Sequence, residues 1–165
     1  MAYLFILLGV GLRLIPHIPN FAPITAMALF GACYLDKKYA IVFPLIAMLI
    51  SDMFLGFHQV MFWVYGSFVL IGFLGMWLKN HKSSENIVFG SLVGSVIFFL
   101  ITNFGVWLGP WYSHNLNGFI SCYTLALPFF RNTIIGDLFY TGVFFSSFAL
   151  FSYLASIKQL AIKKI

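Results

Sequence analysis

Arg13-Leu-Ile-Pro16-His17-Ile-Pro19-Asn20-Phe-Ala-Pro23 runs directly into Ile24-Thr-Ala26-Met-Ala28-Leu-Phe-Gly31-Ala32, setting three prolines, an arginine, a histidine and an asparagine between two apolar runs. Helical backbone does not pass easily through Pro16, Pro19 and Pro23, because each lacks an N–H donor and disfavours helix in the residue before it. In a chain made mostly of hydrocarbon such a segment is costly. Irregular backbone at membrane depth persists only where protein or a water-filled cavity satisfies its polar groups. The stretch is therefore expected to form the wall of a binding site.

The 165 residues are 62% hydrophobic, 20% aromatic and 8% charged, with a mean hydropathy of +0.99. These values lie outside the range of soluble globular domains and describe an integral membrane protein. One membrane domain over residues 1–165 suits the length and leaves no room for a soluble catalytic or nucleic-acid-binding domain. Met1 to Val10 is apolar but has neither a basic flank nor a small-x-small site after it, so it is expected to stay as a helix. Cys33 and Cys122 fall on opposite sides in the topology that follows, which argues against a disulfide.

Measured against the roughly 20 residues needed to span a bilayer, the apolar runs predict six helices. They cover about 2–15, 23–35, 39–55, 60–78, 87–108 and 133–157, with an apolar but interrupted piece, 118–130, before the last. The fold class expected is all-α: a six-transmembrane-helix bundle with a Pro-rich irregular segment between the first and second helices. At about 1.5 Å per residue those two helices fall short of a roughly 30 Å core, so the Pro-rich segment should dip into the membrane. With six spans, Lys37, Lys38, Lys79, Lys82, Lys158, Lys163 and Lys164 all fall on one side with both termini. The positive-inside rule makes that side the cytoplasm. The net charge of +5 is thus topological, and no nucleic-acid partner is expected.

Arg13, Asp52, Arg131 and Asp137 remain in or beside the apolar segments, all toward the outer half. Charges at that depth cost about 2.5 to 3.5 kcal/mol each on insertion scales, so they face inward and pair. Two structural ion pairs are one reading. The other leaves an arginine, Arg13 above all, with a free fork for an anionic group of a ligand. Asn103, inside an apolar helix, needs a partner, and Trp107 lies beside it. An aromatic belt accounts for single Trp and Tyr residues at this depth, while aromatics around a few polar groups are also the usual form of a small-molecule site.

His17, His58 and His114 share the outer side with Asp52, but no His-Glu-x-x-His or Cys-x-x-Cys spacing occurs, so no metal site and no cofactor is assigned. Cys122 reads as a small buried hydrophobe, or in a lesser role as a soft ligand to a metal carried by the substrate, such as the cobalt of a corrinoid. Thr25, Ala28 and Ala32 form a small-residue stripe that serves either packing within the bundle or the docking of a partner helix. No serine or cysteine has a base beside it in sequence, and no enzyme is expected.

Four motifs then carry a resemblance: Arg13-Leu-Ile-Pro-His17-x-Pro-Asn20-Phe-x-Pro23, Ser51-Asp52-x-x-x-Gly56-x-His58, Thr102-Asn103-Phe-Gly-Val-Trp107, and Cys122-Tyr-x-x-Ala-x-Pro128-Phe-Phe-x-Asn132-Thr-x-x-Gly136-Asp137-Leu-x-Tyr140-Thr. Together they resemble an uncharacterised family of bacterial transport proteins, over nearly the whole chain. More distantly, the size and six-span layout are similar to the substrate-binding S components of energy-coupling-factor transporters. That second resemblance implies tight capture of a vitamin or similar micronutrient on the outer side, and a transmembrane coupling subunit driven by two ATPases, docked at an Ala-x-x-x-Ala stripe. Here the stripe would be Ala28 and Ala32, after an extra short helix. The expected function is a substrate-binding membrane subunit or a solitary transporter, its site lined by Arg13, His17, Asn20, Asp52, Asn103, Trp107, Arg131 and Asp137. The alternatives are a proton-coupled secondary transporter using Asp52 or Asp137, or a structural or assembly protein of the membrane.

Overall fold

Ser83 caps the start of a helix, its hydroxyl accepting the Asn86 backbone N–H at 3.1 Å. In the computed structural model, which describes residues 2–16 and 18–162, six helices and no strands are found among the described residues. They are α1 (Ala2–Leu14), α2 (Ile24–Tyr34), α3 (Val42–Leu55), α4 (Met61–Asn80), α5 (Ser84–Leu108) and α6 (Leu116–Ile162). His17, Lys163 and Lys164 lie outside the described residues. Between α3 and α4 the chain turns at Gly56, whose φ of 94° lies in the left-handed region that glycine enters without strain.

The last helix corrects an expectation. The sequence predicted a break before residue 133, yet α6 runs for 47 residues with Pro128 inside it. It begins early because the Asn115 side chain accepts the Gly118 N–H at 2.9 Å and so caps the first turn. A proline removes only one donor from the ladder. In apolar surroundings, leaving the helix there would strand several backbone groups at once, which costs more.

The axis of the bundle is α2. Every residue from Thr25 to Cys33 is buried, and all five other helices pack on it. A helix apolar on all sides is stable only in such a position. Close approach depends on small residues in its neighbours: a Cβ placed on Gly75 of α4 would stand 2.8 Å from the Leu29 carbonyl oxygen, and one on Gly94 of α5 would stand 2.8 Å from the Thr25 methyl.

Residue pairs define the directions. Gly9 meets Met27 and Gly31 meets Ile6, so α1 and α2 are antiparallel. Tyr3 packs on Phe43 while Arg13 reaches Asp52, so α1 and α3 are parallel. Along α5 and α6, Tyr123 reaches Leu100 and Asp137 meets Ser95, an antiparallel pair. Lys79 donates to the Leu35 carbonyl at 2.7 Å, and Lys82 lies 4.3 Å from the Tyr34 ring centre. These contacts gather the α2–α3 and α4–α5 connections at one end of the bundle. The Pro-rich segment stands at the other.

Helices α4, α5 and Leu116–Lys158 of α6 are long and apolar enough to cross a membrane, whereas α1, α2 and α3 are shorter. Large apolar side chains face outward, with Phe62, Phe54 and Leu116 among the most exposed. That exterior suits lipid better than water.

Candidate functional site

Two cavities, of about 450 Å³ and about 320 Å³, open beside the Pro-rich segment and share a wall that includes Arg13, Asn20, Phe98 and Thr133. Arg13, in the last turn of α1, is the best-held side chain there. Its Nη2 stands 2.5 Å from Asp52 Oδ1, and its Nη1 donates to the Ser51 hydroxyl and, at 3.2 Å, to the Met48 carbonyl. Tyr65 of α4 donates to the other Asp52 oxygen at 2.7 Å. One buried carboxylate therefore ties α1, α3 and α4 together. Both terminal nitrogens of Arg13 are engaged within the protein, which favours the structural-pair reading of this arginine over the free-fork reading.

Asp137 is in a different situation. It is 3% exposed and lies on the wall of the larger cavity. The Ser95 hydroxyl donates to its Oδ2 at 2.6 Å, and Thr25 of α2 borders the same cavity. Among the described residues no cation pairs with it, since Arg13–Asp52 is the ion pair found. Arg131, on the same helix, is exposed and lines neither cavity.

The Pro-rich segment forms one side of the larger cavity through Leu14, Ile15, Pro16, Asn20 and Ala22. Ile15 and Pro16 are exposed, and burial grows toward Pro23. Phe21 closes a turn by donating its N–H to the Ile18 carbonyl at 3.0 Å, and its ring packs on Tyr140. Asn132 of α6 donates to the Pro19 carbonyl at 3.1 Å. Asn20 itself has φ 63°, a left-handed conformation that asparagine tolerates better than most residues.

Of the eight residues expected to line a site, Arg13 and Asn20 line both cavities, Asp137 the larger and Asn103 the smaller, with Asp52 behind Arg13. Asn103 donates to the Phe99 carbonyl of its own helix at 2.8 Å. Trp107 is placed elsewhere: its indole donates to the Ser113 carbonyl at 3.2 Å and packs on His114 and Phe119, bracing the α5–α6 connection. His17 is not among the described residues. Cys122 is buried and its thiol points at the Asn103 carbonyl, 3.5 Å away, outside both cavities. No group of three His, Cys, Asp or Glu residues close enough to hold a metal occurs among the described residues.

Ala28 and Ala32 are buried, and Ala32 packs against the Gly75 position of α4. The stripe is used within the bundle and presents no surface to an external helix, because the helix that carries it is enclosed on every side. Tyr65 and Ser95, hydroxyl partners of the buried charges, do not stand out in the sequence on their own, and Ser51 does so only within the Ser51-Asp52 motif. Ser91 and Ser95, four apart beside Gly90 and Gly94, were the visible signal: polar residues on a small-residue face of an apolar helix.

An all-helical chain with an apolar exterior, membrane-length helices and buried charges at one end of the bundle has the makeup of a multi-helix membrane protein. The chain belongs to a family of unknown function, DUF6580, which matches residues 1–160. No curated protein and no solved structure matches it.

Proposed function

We propose that this is a six-span protein of the bacterial inner membrane that captures a small solute in the cavity beside the Pro-rich segment, as a solitary transporter or as the substrate-binding subunit of a larger one. The observation that carries the reading is the larger cavity. About 450 Å³, bordered by apolar and aromatic side chains with Asn20, Thr25 and Asp137 among them, is the size and makeup of a small-molecule site. A protein whose charges only fixed helix packing has no need of such a space.

The Pro-rich end faces outward in this proposal and the lysine-bearing connections face the cytoplasm, by the positive-inside rule. The three short helices cross by tilting little and by relying on local thinning or on the connecting segments. Burial of Ala28 and Ala32 removes the surface that an S component would offer a coupling subunit there. The balance therefore moves toward a transporter acting alone, with a proton-coupled mechanism as the second reading. Asp137 favours that second reading over Asp52, because Asp52 is already neutralised by Arg13.

Native mass spectrometry of the gently purified protein tests capture, with a bound small molecule of defined mass as the expected result. Identification of that molecule then allows uptake to be measured in proteoliposomes without ATPase subunits. Uptake that needs added ATPases would return the protein to the role of a subunit.

A further inference from the structure

We propose that the molecule taken into the larger cavity carries a cationic nitrogen on an apolar or aromatic body, and that Asp137 is its counter-ion. The inference rests on the binding reading above. Charge accounting sets the sign. Of the two carboxylates buried among the helices, Asp52 is closed by Arg13, whose terminal nitrogens are used on Asp52, Ser51 and Met48. An anionic ligand in the larger cavity would compete with Asp52 for that arginine and would meet Asp137 on the same wall.

Among the described residues Asp137 has the Ser95 hydroxyl for a partner, and it does not balance a full charge. Ser95 carries a single hydroxyl proton and has two acceptors in reach, the Ser91 carbonyl at 3.1 Å and Asp137 Oδ2 at 2.6 Å. When that proton turns to the Ser91 carbonyl, Asp137 loses the Ser95 hydrogen bond. A buried carboxylate held by neutral donors stays costly in a medium of low dielectric. An ammonium supplies the opposite charge and strong donors together. Phe68 and Phe98 border the same cavity with ring centres 5.4 Å apart. Aromatic faces attract a cation and pack on an apolar body.

The test uses the full-length protein in detergent and three probes of one shape: 2-phenylethylamine, 2-phenylethanol and 3-phenylpropionate. Binding is read by isothermal titration and by the shift in unfolding temperature. The amine is expected to bind at least tenfold more tightly than the alcohol, and the carboxylate more weakly than either. Asp137→Asn, which preserves shape, should lower amine affinity at least tenfold and leave the alcohol unchanged. Should that variant fail to fold, the ranking of the three probes on the wild-type protein decides. Equal affinity for amine and alcohol, or an Asn variant that holds the amine as well as wild type does, overturns the counter-ion role. Preferential binding of 3-phenylpropionate overturns it too, while leaving the cavity a ligand site. If none of the three binds, the inference falls, and a purified protein free of any bound molecule would take the binding reading with it.

Discussion

Arg13 Nη2 and Asp52 Oδ1 stand 2.5 Å apart and fasten the end of α1 to the end of α3. Asp52 is 1% exposed, so the pair sits where taking either charge out of water costs several kcal/mol. Ser51 and the Met48 carbonyl take Nη1 of the guanidinium, and Tyr65 takes the second carboxylate oxygen. The pair's worth lies less in its attraction than in the cost of breaking it.

Removing one partner is accordingly expected to be worse than removing both. Arg13→Met should destabilise the bundle by about 3–5 kcal/mol by stranding a buried carboxylate, whereas Arg13→Met with Asp52→Leu should recover most of that loss. Equilibrium unfolding in detergent micelles checks the order of the three proteins. A single variant as stable as wild type would show that the pair does not hold these helices.

Contact between α2 and α4 leaves no room at Gly75, where a methyl group would stand 2.7 Å from the Ala32 Cβ and 2.8 Å from the Leu29 carbonyl oxygen. Backbone on the far side cannot move aside as a side chain would. Gly75→Ala is expected to cost about 1–3 kcal/mol. Gly66→Ala on the same helix, which meets nothing within 4 Å, should instead be neutral or stabilise by about 0.5–1 kcal/mol. Thermal unfolding of the two variants side by side separates packing from helix propensity.

Asn20 turns the Pro-rich segment back toward α2 with φ 63°. Asn20→Gly should preserve the turn, while Asn20→Val should cost about 1–2 kcal/mol, since a branched side chain is crowded in the left-handed region. Because Asn20 borders both cavities, the valine variant should also weaken ligand capture. Unfolding temperature and retention of the co-purifying molecule measure the two effects separately.

Orientation is open to direct labelling. In a background lacking Cys33 and Cys122, a cysteine replacing His58, before α4, should react with a membrane-impermeant maleimide added to intact cells. One replacing Lys82, after α4, should react only once the membrane is opened. Reversed reactivity would turn the bundle over, and equal reactivity at both sites would remove α4 from the membrane.

Much of the helix map was readable from the order of apolar runs and their interruptions. Runs ending at Leu14, Leu55 and Leu108 stop at proline, glycine or a polar connection, and five helices begin or end within about three residues of the expected places. The last helix is the exception: the sequence predicts it from about residue 133, after an interrupted apolar piece, whereas Asn115 supplies an earlier cap and the helix continues through Pro128. Site residues were half legible. Arg13, Asp52 and Asp137 stood out because a charge in an apolar segment is expensive wherever it lies, but Arg131 looked the same in sequence and proved exposed.

By itself the sequence determined the class of protein: an apolar all-helical chain, with its lysines at the ends of the apolar runs and a proline-broken segment after the first helix. Those properties depend on composition and local backbone chemistry. Only the tertiary structure decided which charges cancel. Arg13 meets Asp52 because α1 and α3 run parallel around α2, and among the described residues Asp137 meets no cation because the face of α6 that carries it packs on Ser95 of α5. The same packing turned the Ala28 and Ala32 stripe from a surface into a core, since a helix enclosed by five others has no face to spare. The Pro-rich segment, first legible as broken helix, acquires its meaning from the cavity that these distant residues enclose beside it.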